Sequence, residues 1–105
     1  MSPLIIVTTT SDAAEVLERI AERLVADQLA ACCQISQPIK SIYRWNGNVE
    51  SSNEWELKIK TSAERFAEVS TVIKSLHNYD VAQIVAVDVT HVDNAYRDWA
   101  NENLS

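Results

Sequence analysis

The dipeptide Asn46-Gly47 constrains this chain more than any other feature. It separates two strand-like runs, and a two-residue type I′ hairpin needs positive φ at both central positions. Asparagine tolerates that conformation and glycine takes it without steric cost. Gly47 is also the only glycine in the chain. The run after it, Val49 to Thr61, is thirteen residues long and spans about 43 Å at ~3.3 Å per residue. A compact domain of 105 residues has a radius of gyration of about 13 Å and a diameter of roughly 34 Å. The hairpin from Lys40 to Thr61 is therefore expected to overhang its own domain. Tyr43, Trp45 and Val49 at its tip call for cover by a partner surface.

The rest of the chain supplies a frame for that hairpin. Leu4-Ile5-Ile6-Val7 is a continuous apolar run, the pattern of a central strand. Asp12 and Glu15 form a capping-box pair ahead of apolar residues recurring at helical spacing to about Asp27. Leu29 to Ile35 predicts a second strand, and Pro38 interrupts the chain before the hairpin begins. Thr61 and Glu64 form another capping-box pattern, opening a helix with Phe66, Val69, Val72, Ile73 and Leu76 on its apolar stripe. Ile84 to Val89 alternates as a strand, and a last helix begins near Asp93 and buries Tyr96, Trp99 and Ala100. The order is β-α-β-β-α-β plus a C-terminal helix, an α+β chain of the ferredoxin-like split βαβ type forming one domain over residues 1–105. Its two long helices cover one face of an antiparallel sheet and leave the other open.

Strand phase adds a specific expectation. Trp55, Leu57, Ile59 and Thr61 alternate toward the helices, while Glu54, Glu56, Lys58 and Lys60 point to the open face, where solvation explains the carboxylates. Carried back through the turn, this register puts Ile42 with the inward set and Tyr43 and Trp45 with the outward set. Continued without a break, it also turns Cys32 inward. Leu29, Ala31, Cys33 and Ile35 are nevertheless the more apolar set. The two phases disagree by one residue, and a β-bulge near Pro38 reconciles them. Cys33 then lies in the core and Cys32 on the open face near Lys58 and Lys60.

The formal charge of −6 argues against nucleic acid, whose phosphates need a basic surface. No apolar run approaches the ~20 residues of a membrane span, and Leu4 to Val7 is too short for a signal peptide. The two cysteines are adjacent in sequence, which disfavours a bond between them and suits a reducing, cytoplasmic compartment. A buried Cys33 is ordinarily a small hydrophobe, whereas a thiolate at Cys32, beside ammonium groups, could bind a soft metal. His77 could serve as a ligand or complement a helix C-terminus, and His91 reads as a surface or turn residue. No phosphate loop, nucleophile elbow or other catalytic set is present, so no catalysis is expected.

Several stretches together carry a resemblance over nearly the whole chain. Leu29-Ala30-Ala31-Cys32, Ser41-Ile42-Tyr43-Arg44-Trp45 with Gly47, Glu54 ahead of Ile59-Lys60-Thr61, and His77-Asn78-Tyr79 resemble the CutA family of divalent-cation tolerance proteins. Thr8-Thr9 and Tyr96-x-x-Trp99 match as well. The resemblance implies a homotrimer assembled through the Lys40–Thr61 hairpin and the open sheet face, similar to the PII signalling proteins. It also implies binding of copper or another divalent metal ion, with no organic cofactor. Carried residue by residue, it implies Cys32 and His77 as metal candidates, and Tyr43, Trp45, Lys60, Tyr79 and Gln83 as residues of an intersubunit cleft. The chain departs from the family pattern H-P-Y-x-x-P-E: both prolines are missing from His77 to Gln83, and Gln83 stands in place of the acid. That segment is expected to be more mobile, with one anionic ligand fewer.

Three functions compete on these grounds. The first is a non-enzymatic trimer contributing to the response to metal ions. The second is a PII-like signalling or scaffold trimer holding a small anionic ligand, favoured by Lys60, Arg44 and Tyr43. The third, an acylphosphatase-type enzyme, lacks a glycine-rich anion loop after the first strand and rests on fold analogy alone.

Overall fold

The computed structural model describes residues 3–105. Strand β1 (Leu4–Ser11) leads to helix α1 (Ala14–Ala26), then to strands β2 (Cys32–Ile35), β3 (Ile39–Trp45) and β4 (Asn48–Ser62). A single 3-10 turn at Ala63–Arg65 opens helix α2 (Phe66–Leu76), followed by strand β5 (Val85–Asp88) and helix α3 (Asn94–Glu102). The sheet runs β2-β4-β1-β5, with β3 pairing β4 beyond β2, and each pairing is antiparallel. This is the ferredoxin-like arrangement expected from the element order.

Strand alternation builds the core. Ile5 and Val7 of β1 and Leu57 and Ile59 of β4 meet Val16, Leu17, Ile20 and Leu24 of α1 and Val69 and Ile73 of α2. All of these are buried, so one sheet face is sealed by the two long helices. Lys60 Nζ lies 5.3 Å from the Tyr96 ring centroid, so α3 covers one end of the other face. Of the residues expected to be buried by α3, Ala100 is buried, Tyr96 is half-buried and Trp99 is exposed.

The hairpin forms as expected. Trp45 pairs with Asn48, and Asn46 and Gly47 take φ values of 50° and 79°. Strand β4 has fifteen residues, which would reach about 50 Å if straight. The chain measures 44 × 25 × 23 Å, so β4 twists and still projects as an arm. The one-residue slip is present too. Ile35 pairs with Leu57 and Ile39 with Glu54, four steps on one strand against three on the other. The extra residue lies in Ser36–Pro38, where the Ser36 hydroxyl accepts from Glu56 N at 2.9 Å and Ser36 N donates to Glu56 O.

Some expectations do not hold. Ile42 belongs to the inward-facing set by register, but it is 69% exposed because the arm extends past the helices. Neither early capping box forms. Helix α1 starts one residue late behind Ala13, whose N–H donates to Ser11 Oγ, while Asp12 accepts from Asn78 instead. Thr61 stays in β4 and its hydroxyl donates to Leu29 O at 2.7 Å. Only Asp93 caps as expected, accepting from Ala95 N and Tyr96 N.

Helix α1 ends in a Schellman turn, with Leu29 N donating to Leu24 O and Gln28 N to Val25 O. The left-handed position, φ 57°, is held by Gln28 rather than glycine. Gln28→Gly removes the Cβ clash at that φ and is expected to stabilise the fold by about 0.5–1 kcal/mol. Urea denaturation at fixed protein concentration should show a higher midpoint with an unchanged slope.

Candidate functional site

The segment after α2 folds back over the end of β1. His77 Nε2 lies 2.8 Å from Thr10 O, and His77 Nδ1 accepts from Tyr79 N at 3.0 Å. With Nδ1 accepting, Nε2 is the ring nitrogen that donates to Thr10 O, so the two bonds fix the orientation of the ring. Asn78 accepts from the Ser11 hydroxyl at 2.6 Å and donates to Asp12 at 2.8 Å. Tyr79 Oη accepts from Asp12 N at 2.8 Å and donates to Glu54 Oε2 at 2.7 Å. These bonds replace the fixed φ angles that prolines would supply, so His77 to Tyr79 is tied down by side chains instead.

The returning segment and the hairpin arm flank an open cavity of about 600 Å³, lined by Thr10, Ser41, Tyr43, Trp45, Glu54 and Tyr79 together with Ile42, Asp80, Val81 and Gln83. Thr10, Ser41, Tyr43, Trp45 and Glu54 share the open-face phase of the sheet. Four of the cleft residues implied by sequence, Tyr43, Trp45, Tyr79 and Gln83, come together here. Lys60 does not, since it lies beside Tyr96 and pairs in register with Cys32 and Ile6.

Glu54 is the residue that strand alternation alone misjudges. It is 6% exposed rather than solvated, because a segment 25 residues away folds over it. Its signal lies in its phase, which it shares with Ser41 and Trp45 across the hairpin. Burial, and then the hydrogen bond to Glu54, push the Tyr79 phenol well above the ordinary range. Tyr79 therefore stays a neutral donor to the carboxylate at any ordinary pH.

Cys32 and His77 sit apart. Cys32 pairs with Lys60, while His77 anchors at Thr10, the partner of Glu56. Lys60 and Glu56 are about 13 Å apart along β4, and β2 and β1 flank that strand on opposite sides. Among the described residues there is no group of three or more His, Cys, Asp or Glu placed to hold a metal ion. Both cysteines are free and half-buried. Cys33 packs against the core, and burial, with Cys32 beside it, raises its thiol to about 12. Cys32 lies on the open face, the position that the slip at Ser36–Pro38 assigns to it.

Comparison with known proteins places this geometry in a family. The profile of the CutA1 divalent ion tolerance protein family matches residues 5–103. The divalent-cation tolerance protein CutA of Thermus thermophilus is 38% identical over 103 residues, 98% of this chain and 98% of that one. The corresponding protein of Archaeoglobus fulgidus is 38% identical over 95 residues, 90% of this chain and 92% of that one. The crystal structure of CutA1 from Oryza sativa superposes with a TM-score of 0.94 at 30% identity, covering 99% of this chain and 95% of that one. With a matched profile and full-length relatives in agreement, the chain belongs to the CutA1 divalent ion tolerance protein family.

Proposed function

We propose that this protein is a non-enzymatic homotrimer that binds divalent metal ions, copper foremost, and contributes to divalent-cation tolerance. The observation that carries the assembly is the hairpin arm, which is apolar on both faces. Ile42 and Val49 are exposed on one face, and Tyr43 and Trp45 on the other. The chain's own sheet can cover neither side of an arm that projects beyond the core, so copies of the chain are the natural cover. Val85 and Val87 of β5 extend the same exposed apolar surface onto the open sheet face. Tolerance to divalent cations comes to this reading from the names of the relatives. Two adjacent free cysteines make a reducing, cytoplasmic setting part of the proposal.

The described residues of a single chain do not supply a chelating set, so the metal is cargo of the assembled protein. Cys32 is the soft donor available for it, on the face that assembly covers. His77 joins it only by giving up one of its two internal hydrogen bonds. Calorimetric titration of the assembled protein with copper should show at least tenfold weaker binding by Cys32→Ser. Equal affinity in the two proteins would remove Cys32 from the site.

The PII-like reading, with a small anionic ligand, is less well supported. Among the described residues of one chain, no Lys, Arg or His lines the cavity. Arg44 reaches Gly47 O at the hairpin tip, Lys58 pairs with Glu56, and Lys60 meets Tyr96. An anion would need its cations from a neighbouring copy.

A further inference from the structure

We infer that the cavity between the hairpin arm and the segment Tyr79 to Gln83 binds a small organic cation, an ammonium or guanidinium group, with Glu54 as its counter-ion. The inference takes the cavity described above and does not rest on the metal reading, since Cys32 lies outside it.

Glu54 provides the first argument. Its side chain lines the cavity and is more than nine-tenths buried. Tyr79 satisfies Oε2, while Oε1 has no hydrogen-bond partner among the described residues and is open to the cavity rather than sealed. A carboxylate with most of its surface buried, one neutral hydrogen bond and one oxygen open to a cavity is a ready acceptor for a positive charge or further donors there. The Tyr79 bond fixes the orientation of the carboxylate, leaving the second oxygen for a ligand. Asp80 adds a second acid to the lining, and among the described residues no basic side chain lines the cavity.

The walls provide the second argument. Tyr43, Trp45 and Tyr79 bring three aromatic rings to the same space. Ring faces attract alkylammonium and guanidinium groups and do not ligate metal ions. The absence of a three-ligand metal group among the described residues points the same way. A volume of about 600 Å³ suits a small molecule rather than a bare ion. Aromatic walls with one oriented buried carboxylate form a box for an organic cation.

Calorimetry and thermal unfolding of the native, assembled protein test this with tetramethylammonium and agmatine as probes and glutarate as the anionic control. At least one cation should bind saturably and raise the melting temperature, while glutarate should do neither. Glu54→Gln keeps an oxygen acceptor for Tyr79 and should weaken cation binding at least tenfold. Tyr43→Leu removes one ring from the wall while keeping an apolar side chain on the arm, and should weaken it at least threefold with the assembled mass unchanged. Cys32→Ser should bind both cations as the unaltered protein does, which separates this result from the copper titration. Failure of both cations to bind, unchanged binding by Glu54→Gln, or preferential binding of glutarate would overturn the inference.

Discussion

Tyr79→Phe is expected to lower the unfolding free energy by about 1.5–3 kcal/mol, because it strips a buried carboxylate of its hydrogen-bond donor. The hydroxyl bridges two elements distant in sequence, donating to Glu54 Oε2 and accepting from Asp12 N. The two losses differ in weight. Asp12 is exposed, so water can replace the phenol there, whereas Glu54 is largely buried and loses the donor that orients its carboxylate. Tyr43→Phe is the matched control. Its hydroxyl is 3.4 Å from Ser52 Oγ at an exposed position, and its removal should stay within about 0.5 kcal/mol. Urea denaturation of both variants at equal protein concentration checks the contrast. Equal effects would mean that the Tyr79–Glu54 bond does not stabilise the fold.

The second large effect concerns assembly. Ile42→Asp is expected to leave the single chain folded and to dissociate the proposed trimer. Ile42 is 69% exposed in the isolated chain, so nothing within that chain depends on its packing. In the assembly, burial of an isoleucine is worth about 1.5–3 kcal/mol, and the substitution forfeits it in all three copies. An aspartate brought into an apolar interface adds a desolvation cost on top. Sedimentation should report a lighter species, with circular dichroism unchanged. A variant that remains as large as the unaltered protein would take Ile42 out of the interface.

Much of this architecture is legible in the order of residues alone. Asn46-Gly47 specifies the turn, since few other pairs accept positive φ twice. The slip near Pro38 is legible because two apolar phases, one ending at Ile35 and one beginning at Ile42, disagree by one residue. The features that escape the sequence depend on partners far along the chain. Asp12 and Thr61 each present a capping-box pattern, yet Asp12 accepts from Asn78 and Thr61 donates to Leu29 O. A local pattern cannot reveal that a distant group will claim the side chain. Glu54 escapes for the same reason. Alternation places it correctly on the open face, and the segment that buries it there comes only after all of α2.

The cavity shows the same division. Tyr43, Trp45, Tyr79 and Gln83 are grouped by family resemblance and do converge. Lys60, grouped with them, is held apart by its position four residues beyond Glu56 on β4, where α3 supplies Tyr96 as its neighbour. Without Lys60, the charged side chains that line the cavity are the acids Glu54 and Asp80.

The central claim is that the hairpin arm is an assembly element before it is anything else. Sedimentation equilibrium of the unaltered protein over a wide concentration range tests it most directly. A trimer gives a mass three times the 11.8 kDa of one chain, stable to dilution. A mass of one chain at every concentration would contradict it, leaving Ile42, Val49 and Trp45 as exposed apolar residues with no cover.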